Sequence, residues 1–481
     1  METKKNNKSI NVIFNAFYYL LNSLFPIIIF PYVSRALGVE GIGAANLAIT
    51  VAAYFTTIAS LGIPIYGVRE VAKRRNNRES LNQLVSELMM LNVIGVVISF
   101  VGFFFLISSI ETMRENYILY IIASINIALS FFQIDWLFQG LENFKILAVR
   151  NAAVKVVSLL LVFSMVHNES DISAYVLVTT ISLSCANIFN LFHATKVIKF
   201  TFTGLSIVKH IKPTIYFLST RIMSTIYTLL DSVILGILTN NYAVGLYSTA
   251  IKLIRTATSL ISSMSIVYFS DSSILSKENN ERYQSLLSDL FSLLLLISLP
   301  TAIFTFTYSK EIILLFAGFD FEEASLSLMI MSPLILVSTI TSFIGMQVLY
   351  ASGKEKIVAQ SLFIGAIVSV LMNVILIPMF SHNGAAIAVL TAELSVLIYQ
   401  LINVTFVKVN LAFIFNRRVM NIMLANSIYL VVIYLFKNNV VLDDNIVFMI
   451  TNIAVSVLSY LFILLLLKDS MVLSIKEKLI R

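Results

Sequence analysis

Cysteine and tryptophan are almost missing from the 481 residues: Cys185 and Trp136 each stand alone. A single cysteine excludes any disulfide within the chain, and its place inside an apolar run reads as a small buried hydrophobe. Charge is scarce as well. Asp, Glu, Lys and Arg make up 12% of the sequence, where a soluble domain carries about a quarter. The four histidines are far apart and fit no metal-ligand spacing, so they read as solvated or interfacial and no metal centre is expected. No phosphate-cradling glycine loop followed by Lys and Ser or Thr occurs, which argues against ATP hydrolysis. No hydrophilic stretch is large enough for a separate catalytic domain, so neither an enzyme nor a cofactor is expected.

Apolar residues, by contrast, reach 58%, with a mean hydropathy of +0.90. Runs of roughly 20 apolar residues, enough to cross about 30 Å of hydrocarbon, recur from end to end. They predict an all-α integral membrane protein with about fourteen transmembrane helices, near 11–33, 43–66, 84–108, 118–138, 146–166, 173–193, 213–235, 246–270, 287–307, 325–350, 359–380, 385–406, 419–436 and 445–467. The start, METKKNNKSI, has the charge of a signal peptide but no small-residue cleavage site after the apolar run, so 11–33 reads as a retained span.

The net charge of +7 is explained by sidedness rather than by nucleic acid. With the N-terminus inside, the inner segments hold about 24 Lys and Arg, and the outer ones about four: Arg35, Arg114, Lys310 and Lys437. Both termini are therefore expected in the cytoplasm. The densest run, VREVAKRRNNR, reads as a topology determinant.

Five basic residues remain inside expected spans: Arg150, Lys155, Arg221, Lys252 and Arg255. Arg150 and Lys252 fall close enough to a membrane face to snorkel. Lys155, Arg221 and Arg255 fall about 12–14 Å deep at a rise of about 1.5 Å per residue, where a charge costs at least about 2.5 kcal/mol. The acids taken to lie within spans are Asp135, Asp231 and Glu393. Even if each acid paired, two cations would be left over. A wet cavity with a positive interior follows, suited to a phosphate or pyrophosphate. Glu393 and Asp231 are candidates for ion pairing or ion coupling, and Asp135 and Trp136 for the cytoplasmic entry. Trp136 also reads as an aromatic anchor at the membrane interface.

A repeat runs through the chain. GVEGIGAANLA (38–48) and NNYAVGLYSTA (240–250) align without gaps at an offset of about 202, pairing Gly43 with Gly245. This predicts two parallel six-helix lobes, 1–204 and 205–406, followed by two further spans in 407–481.

With FPYVSRALGVEGIGAANLA, LGIPIYGVREVAKRRNN, DWLFQGLENFK, LLDSVILGILTNNYAVGLYSTAIKLIR and NVILIPMFSHNGAAIAVLTAE in order, the chain resembles the multidrug/oligosaccharidyl-lipid/polysaccharide exporter superfamily. Within it the likeness is to the Wzx-like flippases of O-antigen and capsule repeat units. The resemblance implies two pseudo-symmetric lobes around a V-shaped central cavity, alternating between inward-open and outward-open forms. It also implies an undecaprenyl-diphosphate-linked oligosaccharide as substrate, among the membrane lipids of a bacterial inner membrane. Lys155, Arg221, Lys252, Arg255 and Arg150 would then handle the anionic head. A polysaccharide polymerase and chain-length proteins are the partners such an exporter would work beside. The related peptidoglycan-precursor flippases carry arginines in the first span, where this chain has Asn15 and Asn22. A cation-coupled multidrug antiporter of the same superfamily is the alternative, and a membrane-embedded glycosyltransferase or polymerase fits less well.

Overall fold

The computed structural model describes residues 2–201, 203–278, 280–405, 416–439, 455 and 458–464. Among them every regular element is helical. The helices are α1 (Glu2–Ala59), α2 (Ile63–Arg74), α3 (Arg78–Ser109), α4 (Glu111–Glu115), α5 (Tyr117–Leu129), α6 (Asp135–Gly140), α7 (Phe144–Met165), α8 (Ile172–Val197) and α9 (Val208–Leu238). They continue with α10 (Asn241–Glu278), α11 (Asn280–Thr307), α12 (Ser309–Ala317), α13 (Ala324–Met331), α14 (Leu334–Phe343), α15 (Glu355–Val404) and α16 (Arg417–Asn439). A π-helical turn, Ile344–Tyr350, prolongs α14.

Eleven helical segments among the described residues are long and apolar enough to cross a membrane. Two of the long helices are each broken at one residue: α1 at Gly38, with φ of 66°, and α15 at Ser381, with φ of 50°. Both breaks fall where the sequence places a short outer turn between two spans. Glycine reaches a positive φ without steric cost, whereas Ser381, which carries a Cβ, adopts it against the usual preference. The expected span 445–467 falls largely outside the described residues, as do the side chains of Asn15 and Asn22.

The described residues form two compact units, 1–248 and 249–481. In the first, α1 is the hub and packs against α3, α5, α7, α8 and α9. A core of Ile63, Tyr66, Val71, Leu84, Leu88 and Trp136 joins α2, α3 and α6. In the second unit α11 packs against α14 and α16, and α15 against α13 and α14. The π-helical turn buries Gln347, which donates to the carbonyl of Ser265 and accepts from the hydroxyl of Ser272. Its carbonyl accepts from Tyr283 at 2.6 Å.

The repeat seen in the sequence meets itself inside the first unit. A Cβ on Gly43 would lie 1.7 Å from the carbonyl oxygen of Asn241, and one on Gly245 2.1 Å from that of Val39. Those four residues are two equivalent pairs, because Val39 corresponds to Asn241 as Gly43 does to Gly245. Asn46 Nδ2 donates to Ser248 Oγ at 2.9 Å, and these two residues, 202 apart, are also equivalent. Reciprocal contact between equivalent residues is the mark of a two-fold axis running through a crossing. The crossing exists because neither glycine carries a side chain.

Gly43→Val should lower the thermal unfolding midpoint of the detergent-solubilised protein, by an overpacking cost of about 1–3 kcal/mol or more. Gly345→Ala is the control, since its added Cβ comes no closer than 3.6 Å to Gln400. It should leave the midpoint unchanged or higher.

Candidate functional site

The residues picked out for their charge fall into three groups. Arg150 and Asp135 meet each other: Nη1 lies 2.8 Å from Oδ1 and Nη2 3.2 Å from Oδ2, a two-pronged pair in which Arg150 is 5% exposed. Asn190 on α8 bridges them, accepting from Arg150 and donating to Asp135, and Asn151 accepts a further bond at 2.8 Å. The five donors of the guanidinium are thus largely used within the first unit. Arg150 and Asp135 form one closed pair that ties α6 to α7 and α8.

Asp231 on α9 is buried and accepts from Tyr247 Oη at 2.9 Å. The remaining cations are less enclosed. Lys155 on α7 and Lys252 and Arg255 on α10 are half-buried and Arg221 on α9 is exposed, while the acid Glu393 on α15 is half-buried. Among the described residues Arg221 has no ion pair.

Trp136 departs from its expected place. It is 3% exposed, and its ring lies so close to α2 that a Cβ on Gly67 would come within 2.6 Å of it. It is core packing here, neither an interface anchor nor an open stacking face, because Gly67 leaves a slot of indole size.

The histidines need a second correction. His210, the third residue of α9, is buried rather than solvated. Its Nε2 donates to Glu87 Oε2 at 2.8 Å, and its Nδ1 lies 2.7 Å from Tyr66 Oη. Glu87 also takes Lys209 Nζ at 2.8 Å, the Ser206 backbone N–H at 2.8 Å and Gln83 Nε2 at 3.0 Å. Glu87 lies within the expected span 84–108 and was missing from the acids assigned to spans. Its signal was its position three residues into that span, beside the polar run Asn82–Gln83. Arg69 stacks over Tyr66 and Phe217, 5.4 and 5.3 Å from their ring centres.

On α2 Glu70 gathers Lys73 at 2.9 Å, Arg74 at 2.6 Å and Arg69 at 3.2 Å. Burial pushes its carboxyl up, but hydrogen bonds from Lys73 and Arg74 outweigh this and hold it below the usual 4.5. Three cations of the run VREVAKRRNNR thus gather on Glu70, and Arg75 pairs with Glu142 at 3.0 Å.

Comparisons place this architecture. The fold matches that of the lipid II flippase MurJ in an inward closed conformation, with a TM-score of 0.75 at 18% identity over 96% of this chain and 99% of that one. It also matches an inward-facing multidrug resistance MATE transporter, with a TM-score of 0.65 at 13% identity over 82% and 98%. The fold class is that of the multi-pass membrane transporters to which both belong. The polysaccharide biosynthesis protein family matches residues 10–269, and the chain belongs to it. Relatives named as O-antigen transporters are 24% identical over 79% of this chain and 96% of the Shigella dysenteriae protein. The Escherichia coli K12 counterpart is 24% identical over 82% and 95%. A protein of Haloferax volcanii, named as a low-salt glycan biosynthesis flippase, is 27% identical over 34% of each chain. These relatives are transporters and flippases, not enzymes, and a flippase role is the class this chain falls into.

Two measurements follow from the ion pairs. Arg150→Ala strands Asp135 and Asn190 and should cost about 3 kcal/mol of stability, while adding Asp135→Ala should recover part of it. A double-mutant cycle of unfolding free energies reads the difference. For Glu70, a carboxyl lowered in the folded state stabilises above 4.5 and loses that contribution as pH falls below it. Glu70→Gln should therefore flatten the acid limb of the unfolding midpoint against pH.

Proposed function

We propose that this protein moves an undecaprenyl-diphosphate-linked oligosaccharide from the cytoplasmic to the outer leaflet of the bacterial inner membrane by alternating access, for O-antigen, capsule or exopolysaccharide assembly. The observation that carries this reading is the near full-length similarity to proteins named as O-antigen transporters. The cations of the apolar helices support it chemically. Lys155, Arg221, Lys252 and Arg255 are the groups assigned to the diphosphate, since arginine forks and lysine point charges both suit phosphate oxygens. Arg150 is reassigned from that set to a positioning role, because Asp135 and Asn190 already occupy its guanidinium.

The drive need not be an ion. About two negative charges leaving a negative-inside cell gain about 2.3 kcal/mol each per 100 mV. Glu393 is the candidate if an ion is coupled, and a polysaccharide polymerase with chain-length proteins would receive the product.

The test is flipping of a fluorescent undecaprenyl-diphosphate oligosaccharide in proteoliposomes. Arg221→Ala and Arg255→Ala should each reduce the rate at least about tenfold, the scale of one charge-assisted contact to phosphate. Undiminished flipping in both folded variants would reject the cationic role, and Glu393→Gln with unaltered ion dependence would reject coupling there.

A further inference from the structure

In the second unit α10, α11 and α16 border a cavity of about 560 Å³, and none of the cations assigned above to the substrate lines it. Much of its wall is one stripe of α11. Arg282, Leu286, Asp289, Leu290 and Leu293 recur at helical spacing and so share one face of that helix. From Arg282 to Leu293 this face rises about 16 Å. Arg418, the second residue of α16, completes the charged part of the lining, and its Nη1 donates to Asp289 Oδ1 at 3.3 Å. Beside this pair Asn416 Nδ2 donates to Ser288 Oγ at 3.1 Å, so the start of α16 is tied to the same turn of α11.

The stripe is amphipathic along its length, with Arg282 at the start of α11 and Leu290 and Leu293 further in. Arg282 and Arg418 belong to the segments 271–286 and 407–418, which the positive-inside count assigns to the inner side, whereas Leu290 and Leu293 belong to the span 287–307. A matching ligand is anionic at one end and apolar at the other. Charge narrows the choice further. Two arginines against one aspartate leave the lining with one positive charge. A single phosphodiester balances that charge. A diphosphate exceeds it, and a zwitterionic headgroup brings an ammonium that the arginines repel.

We propose that this cavity is a binding site for a singly anionic phospholipid, phosphatidylglycerol in chemical type, with its phosphodiester at Arg282 and Arg418 and one acyl chain along Leu286, Leu290 and Leu293. Guanidinium forks suit phosphate oxygens, and basic pockets between membrane helices on the inner side recognise anionic headgroups. Lipid tails are as apolar as leucine, so the chain adds little preference and selectivity rests on the headgroup. Asp289 is exposed and sets that selectivity in two ways. It lowers the charge of the lining to match one phosphodiester, and its carboxylate accepts from the hydroxyls of a glycerol headgroup. A lipid held there bridges α11 and α16. The site holds a membrane lipid rather than the cargo, so it does not depend on the transport reading above.

The experiment is native mass spectrometry of the whole purified protein in detergent, titrated with phosphatidylglycerol, with phosphatidylethanolamine of the same acyl chains, and with glycerol 3-phosphate, which lacks the chains. The tightest site should prefer phosphatidylglycerol by about tenfold, the scale of one charge-assisted contact, and glycerol 3-phosphate should not displace it. Arg282 is exposed, so Arg282→Ala leaves the fold intact and should weaken phosphatidylglycerol binding about tenfold. Asp289→Asn should strengthen it by up to about fivefold, the scale of one exposed charge pair. Opposite shifts in the two variants cannot both come from misfolding. Arg75→Ala, which removes an exposed cation of the first unit, should change nothing. Equal binding of the two lipids, binding that Arg282→Ala leaves unaltered, or displacement by glycerol 3-phosphate or by undecaprenyl diphosphate at equal concentration would overturn the proposal. No flipping is measured, so a failure here is distinct from a failure of the transport reading.

Discussion

A charge held among apolar helices must be met by a partner, by water or by a ligand, and this constraint orders most of what the structure displays. Arg150 is met by Asp135 and Asn190, and Glu87 by Lys209 and His210. Asp231 is met by a phenol. Each of these contacts ties two or three helices together at a defined height, which hydrophobic contact between apolar helices cannot do in lipid. The basic residues of the helices therefore differ in how far the fold engages them. Arg150 sits in a bidentate, buried pair, and Arg221 lies exposed on α9.

The second constraint is backbone proximity. The crossing of Gly43 and Gly245 places equivalent segments of a repeated chain in contact through their backbones, and such a contact has no tolerance for a side chain. Gly236 makes a related approach to a side chain, where an added Cβ would lie 2.5 Å from Leu47 Cδ2. Along with the Tyr54 hydroxyl, which donates to the carbonyl of Thr225 at 3.2 Å, these contacts hold α9 to α1 over much of its length. The unit 1–248 accordingly includes α9 and the first turns of α10, where the repeat alone divides the chain near 204. The repeat records how the sequence is built, and the packing records which helices now lie together.

Much of this was legible beforehand. Hydropathy located the helices, and the turns at Gly38 and Ser381 lie between spans that composition had already separated. The pairing of Gly43 with Gly245 was visible as a repeat, though nothing in one dimension said that the two residues touch. Tertiary pairing was the part that could not be read. Asp135 and Arg150 are fifteen residues apart on different helices, and Glu87 and His210 are 123 apart, so each was assessed as a lone charge or a lone histidine. Trp136 misled because a single tryptophan near a helix end resembles an interface anchor, and only the slot left by Gly67 shows otherwise.

The two ends of α9 are held by different kinds of contact. From His210 to Gly236 the helix rises about 39 Å. At the far end the close approach of Gly236 to Leu47 stands beside a buried polar contact, Tyr247 to Asp231 at 2.9 Å. At the near end the polar contacts converge on one carboxylate, Glu87, which takes Lys209, His210 and the Ser206 amide. A closure between helices can be parted without unfolding its surroundings only where few contacts change together. Close packing of glycines resists such a change because any separation forfeits many short contacts at once. An ion-paired contact converges on fewer atoms, which is what separates the Glu87 end of α9 from the Gly236 end.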